Sequence, residues 1–274
     1  MNKYIELIGL FLSLILFVLL VRIITYINNR FFKYKELQKY LEEENAFIIS
    51  NNFSSCYYKK IFGFKFLLNC SLYRCPNVID FENPDHIYRL ITNIPDNVKF
   101  IIQTEGGDTE EANYLAYILK QKKIKITSYI PNYALSAGSF IAITGETIYM
   151  NWYSTMGPID TQVDFSTKDD DSDDESFPAK YVAKVKKKEN AMVKLKAREA
   201  ECYHYDDKFI INSMFKSKER SGKIIKNLLE TKHSHNMRFG PKHLRKFGLN
   251  INTNMPVKIQ KIFDIFWKQY SGEF

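Results

Sequence analysis

Along this chain the spacing of apolar positions changes character several times. Residues 7–21 (LIGLFLSLILFVLLV) carry no charge between Glu6 and Arg22, and residues 23–27 extend the run. As a helix this stretch covers only about 22 Å, but a snorkelling Arg22 lets it reach about 30 Å, the thickness of a bilayer's hydrocarbon layer. Residues 28–45 mix charges with apolar residues at helical spacing, which predicts a juxtamembrane helix. Strand-like runs follow at 46–50 (AFIIS) and 64–74 (FKFLLNCSLYR), the second suited to a hairpin arm or an edge strand.

From residue 83 helical and strand periods alternate. Residues 83–94 predict a short helix capped by Asn83 or Asp85, and 98–104 (VKFIIQT) a buried strand that ends at a glycine pair. Residues 109–122 put Ala112, Leu115, Ala116 and Leu119 on one helix face, with Asp108 or Thr109 as N-cap. A strand at 125–131, an apolar helix at 136–144 and a strand at 147–151 complete the series. Such alternation predicts right-handed parallel βαβ units in an α/β domain. Beyond Phe165 the series stops. An acidic loop (166–177), helix candidates at 179–202, 206–215 and 223–230, and a helix–Gly–strand pattern at 241–250 fill the remainder. The expected organisation is an anchor (1–30), a juxtamembrane helix (31–45), the α/β domain (46–262) and a C-terminal tail (263–274).

Charge refines this picture. The formal net charge is +8, with 45% hydrophobic and 26% charged residues among 274, a globular composition. Arg22, Arg30, Lys33, Lys35 and Lys39 follow the apolar run and only Lys3 precedes it. The positive-inside rule therefore predicts a single-pass membrane protein with its C-terminal domain in the cytoplasm. No small-residue cleavage site follows the run, so an anchor is expected and not a removed signal peptide. Residues 169–175 (DDDSDDE) hold six acids and residues 180–198 eight bases. The acidic run lacks the spacing and the glycine of a calcium loop. The lysine run has no stacking aromatic stripe, so nucleic acid is not an expected partner. Cys56, Cys70, Cys75 and Cys202 form no C-x-x-C pair, and reduced structural thiols are expected, with no metal site and no cofactor.

The candidate chemistry lies where two strands end. Ligands of parallel α/β sheets sit at the carboxyl ends of strands. Gly106-Gly107 follows one strand there, and Ser136, in Ala134-Leu135-Ser136-Ala137-Gly138, opens a helix after the next. A helix N-terminus favours an alkoxide, backbone N–H groups can hold an oxyanion, and glycines let backbone approach without a side chain in the way. Taken singly, a glycine pair is a turn and a helix-starting serine an N-cap.

Taken in order, the motifs resemble the serine dehydrogenase proteinase family, membrane-anchored relatives of Clp protease and signal peptide peptidase A. The resemblance rests on IDFENPDHIYRLI (79–91), the glycine pair, the SAG serine, GPID-x-Q (157–162) and HSHNMRFGPKHLRKFGLNI (233–251). It implies a crotonase/Clp-protease-like fold of stacked βαβ units behind one N-terminal transmembrane helix, and a serine endopeptidase acting on polypeptides, expected as a homo-oligomer. It makes Ser136 the nucleophile, Asp160 and His235 the acid and base, and Gly107 and Ala137 the oxyanion-hole residues. Related membrane proteases use a lysine about forty residues after the serine, which makes Lys184 an alternative base. The sequence departs from the family pattern at Glu105, Thr161, Asn236 and Met237. Two other readings remain: a catalytically inactive Clp-like scaffold that binds partners, and a crotonase-type acyl-CoA enzyme. The last is disfavoured because that chemistry leaves a nucleophilic serine without a role.

Overall fold

The computed structural model describes residues 2–50, 56–61, 64–69, 78–79, 84–164, 176–184 and 191–270, apart from the side chains of residues 2–10, 12, 26–34, 56–84, 164, 176, 191–193 and 269–270. Of the expected acidic loop (166–177), residues 166–175 lie outside the described residues, as do Cys70 and Cys75, while residues 176–177 belong to a strand; Cys202 is a free, exposed thiol.

The chain opens with α1 (Asn2–Glu43), one continuous helix across the expected boundary between anchor and juxtamembrane segment. It leads into β1 (Ala46–Ile49), then a hairpin of β2 (Cys56–Ile61) and β3 (Phe64–Asn69), and β4 (Val78–Ile79). The βαβ series follows: α2 (Pro84–Asn93), β5 (Asn97–Ile102), α3 (Thr109–Gln121), β6 (Lys125–Ile130), β7 (Tyr133–Ala134), α4 (Ala137–Ala142), β8 (Thr147–Met150) and β9 (Thr155–Met156). The chain continues through β10 (Gln162–Asp164), β11 (Ser176–Pro178), α5 (Ala179–Val182), α6 (Ala191–Met214) and α7 (Lys218–Ile224). A π-helical turn (Ile225–Leu229), α8 (Pro241–Lys246), β12 (Ile251–Asn252) and α9 (Val257–Tyr270) complete it.

Six strands form one parallel sheet in the order β12-β8-β6-β5-β1-β4. Alternate residues of a strand face opposite sides, and both sides of this sheet are covered. Phe47, Ile49, Phe100 and Ile102 pack with Ala112, Leu115 and Phe140 of α3 and α4. Ile48 and Ile101 face the other way, against Leu37 and Leu41 of α1 and Ile259, Phe263 and Phe266 of α9. Helices on both faces of a parallel sheet explain why its strands read as continuous apolar runs.

The expected split at residue 262 falls inside α9. Phe263 and Phe266 are buried in the core, so residues 263–270 belong to the domain and not to a free tail. The separate helix candidates at 179–202 and 206–215 also resolve differently. A four-residue α5 is followed by a single α6 that runs through both ranges.

Candidate active site

Each element delivers its site residue for a local reason. Asp108 caps α3, its carboxylate accepting from the N–H groups of Glu110 (2.8 Å) and Glu111 (3.2 Å). That cap fixes where the helix starts and leaves Gly106-Gly107 as the turn between β5 and α3. Both glycines have positive φ, 138° and 146°, a conformation that side chains disfavour. The turn is pinned by Thr104, whose hydroxyl accepts from Gly106 N–H (3.1 Å) and donates to Gly106 C=O (2.8 Å).

Ser136 sits one residue before α4 at φ 49° and ψ −122°. A non-glycine residue there stores roughly 1–3 kcal/mol of backbone strain. Its neighbours are small because the surroundings are tight: a Cβ on Gly138 would come within 2.3 Å of Thr104 Cγ2. The serine loop is further held by a backbone bond from Leu135 N–H to Thr104 C=O (3.0 Å).

The GPID turn packs on the same loop. Gly157 N–H donates to Ala134 C=O (3.1 Å) and to Ser139 Oγ (3.0 Å), and Met156 pairs with Ala134 on one side and Phe239 on the other. This brings three distant stretches to one end of the sheet: Ser136, Asp160 and the segment containing His235.

Asp160 is 2% exposed and divides its carboxylate between two partners. Oδ1 lies 2.9 Å from His235 Nδ1, and Oδ2 accepts from Lys180 Nζ at 3.3 Å. Gln162 Nε2 also lies 3.0 Å from His235 Nδ1 while donating to Asp160 C=O (2.9 Å). A neutral imidazole carries one ring proton, and an ionised carboxylate can only accept. The Gln162 amide nitrogen can only donate, so its contact and that of Asp160 cannot both be hydrogen bonds to Nδ1. With Nδ1–H on the Asp160 carboxylate, Gln162 serves the Asp160 carbonyl alone and Nε2 keeps a lone pair. That is the tautomer a general base needs.

Lys180 is the residue that sequence reasoning missed. It is buried, and its ammonium also donates to the carbonyls of Leu229 (3.3 Å) and Thr231 (2.6 Å). Three acceptors match its three N–H bonds and make it the counter-ion of Asp160. It lies just after Pro178 at the start of α5, a signal that the neighbouring lysine run obscured. Lys184, four residues on, is exposed beyond the end of the helix. Gly107, next to the Gly106 that approaches Ser136, is exposed, and Ala137, which follows the serine, is buried. Ser136 Oγ holds no hydrogen bond to a described residue, so His235 and Asp160 meet each other but neither bonds the serine.

The model of the ClpP-like SDH-type serine proteinase family matches residues 1–272, and the chain belongs to that family. Two uncharacterized proteins of Methanocaldococcus jannaschii are similar to it. One is 28% identical over 198 residues, covering 69% of this chain and 64% of the relative; the other is 24% identical over 199 residues, covering 69% and 65%. The matched part thus spans somewhat less than two thirds of those relatives. Among solved structures, two mutants of the 1510-N membrane-bound stomatin-specific protease are similar at 16% identity. One is a lysine mutant bound to a substrate peptide (TM-score 0.40, 62% of this chain and 69% of that chain), the other a serine mutant (TM-score 0.42, 62% and 73%).

Proposed function

We propose that this member of the ClpP-like SDH-type serine proteinases is a membrane-anchored serine endopeptidase with Ser136 as nucleophile. The observation that carries the reading is the strained Ser136 at the head of α4, faced by the positive-φ pair Gly106-Gly107. A strained turn that lifts a hydroxyl out of its helix, opposite backbone free of side chains, suits acyl transfer. Gly107 and Ala137 N–H would receive the carbonyl oxygen of the scissile bond as it becomes an oxyanion. His235 is the base we assign, since Asp160 holds the tautomer that leaves Nε2 free, whereas Lys184 is exposed. On this reading His235 takes the Ser136 proton, the serine oxygen bonds the peptide carbonyl carbon, and the imidazolium returns the proton to the departing amine. Water then repeats the sequence to release the acyl group.

The anchor reading is supported by α1. Phe11, Leu14, Ile15, Leu16, Phe17, Val18, Leu20, Val21, Ile23 and Ile24 are all exposed along it. Among the described residues no helix is long and apolar enough to cross a membrane, and the side chains of residues 2–10 are outside them. Lipid around residues 1–30 gives those side chains a solvent, and the basic flank puts the domain from residue 46 onward on the cytoplasmic side. Polypeptides near that face are the substrates we assign, and a homo-oligomer the assembly.

Labelling of the purified protein with a fluorophosphonate tests the nucleophile. Covalent label on Ser136, absent from Ser136→Ala, is the expected result. An unlabelled wild-type protein would favour the scaffold reading.

A further inference from the structure

Asp207 of α6 is fully buried, and none of its hydrogen bonds comes from a cation among the described residues. Its Oδ1 accepts from Asn113 Nδ2 at 3.0 Å and its Oδ2 from Thr161 Oγ1 at 2.7 Å. A buried carboxylate held only by neutral donors is costly. Burial pushes this one up to about 6; the two hydrogen bonds oppose the rise, and Asp206 and Asp160 add to it. For packing alone, an amide or an apolar side chain would serve better.

The two donors belong to the two halves of the site. Asn113 lies in the second turn of α3, the helix that starts just after Gly106-Gly107. Thr161 follows Asp160 directly, and its carbonyl accepts from Ala179 N–H (2.8 Å). That bond seats α5, and so places Lys180 on Asp160. One carboxylate thus ties the glycine turn, the acid and the acid's counter-ion together.

Resting on the reading of Ser136 as nucleophile, we propose that Asp207 is a positioning residue. Through Thr161 and Asn113 it holds the Asp160–His235 pair in register with the Gly106-Gly107 turn, and its charge adds to the negative field at His235. It touches no reacting atom. The other charged groups around it are Asp160 and Asp206, with Lys180 on the far side of Asp160. On α6, His204 and Lys208 pair with Glu230, and on α3 Glu110 accepts from Tyr203 Oη (2.7 Å) beside Glu111.

The test uses the full chain in detergent, with three readouts: fluorophosphonate labelling rate, thermal melting, and NMR titration of isotope-labelled histidine, with His235 assigned from His235→Gln. Asp207→Asn keeps the side chain's shape. Asn113 can turn its amide to meet it, because its Oδ1 is buried without a partner among the described residues. Labelling should slow by about tenfold, because charge-assisted hydrogen bonds become neutral ones, with no loss of Tm. The His235 midpoint should fall, since a negative charge on the Asp160 side is gone. A residue that only packs would not move that midpoint. Thr161→Val should reproduce the slower labelling, and Thr161→Ser should recover most of it. Wild-type labelling together with an unmoved His235 midpoint in Asp207→Asn overturns the proposal, as does a rate loss that merely tracks unfolding. If wild-type protein takes no label, the nucleophile reading falls and the His235 titration alone decides: a lower midpoint in Asp207→Asn upholds the coupling, and an unchanged one overturns it.

Discussion

Gly106 lies so close to Ser136 that a Cβ on the glycine would stand 2.9 Å from Ser136 Cβ and 3.4 Å from its Oγ. The glycine also has φ 138°, which an L side chain rarely adopts. Gly106→Ala should therefore displace the serine or the turn. We expect a drop of about 100-fold in fluorophosphonate labelling, with a stability loss on the order of 1–3 kcal/mol. Labelling rates and denaturant melts check both; an alanine variant that labels normally would contradict the close approach.

Lys180 and Lys184 should behave as opposites. Lys180→Met leaves the buried Asp160 carboxylate without its counter-ion and should cost about 3–5 kcal/mol. Adding Asp160→Asn to Lys180→Met should recover much of that stability, because the unpaired charge is then gone. Lys184→Met, at an exposed position, should stay within about 0.5 kcal/mol of wild type. Equal losses in the two single variants would refute this division.

Asp207 gives stability a pH dependence with a definite sign. Its carboxyl is pushed up to about 6 from 3.8. Between these values the folded chain keeps a proton that the unfolded chain has released. Stability therefore falls as pH rises from about 4 to 6, and the cost, on the order of 2–3 kcal/mol, persists above. Asp207→Asn should remove this phase and so stabilise the protein more at pH 7.5 than at pH 4. Urea melts at the two pH values measure it, and an identical gain at both would exclude the raised carboxyl.

Deleting residues 1–30 should release the protein from carbonate-washed membranes. The truncation removes the exposed apolar side chains between Phe11 and Ile24 but keeps Leu37 and Leu41, which pack against α9. The truncated domain should melt within about 2 °C of the full chain, since no described core contact is lost. Continued membrane association, or a collapse of stability, would show that the first thirty residues do more than anchor.

What the sequence determined by itself was whatever depends on near neighbours. The 3.6-residue stripe Ala112, Leu115, Ala116 and Leu119 is buried as expected, and Asp108 caps that helix. The apolar runs at 46–50, 98–104, 125–131 and 147–151 became parallel strands, because a strand covered on both faces needs apolar residues at every position. The glycine pair and Ser136 were legible for the same reason: tight turns and close approaches leave their mark on the residues that make them. Tertiary structure decided which charges are buried and which segments are core. Lys180 and Lys184 stand in one lysine-rich run; the carbonyls of Leu229 and Thr231 set Lys180 apart, and they arrive from about fifty residues away. Asp207 reads as one acid beside another on a helix until Asn113 and Thr161 close over it. Phe263 and Phe266 look like the end of a chain until Leu37 and Leu41 of α1 cover them. Burial of a charge or an aromatic ring depends on what the rest of the chain brings to it, and no window of sequence around the residue contains those partners.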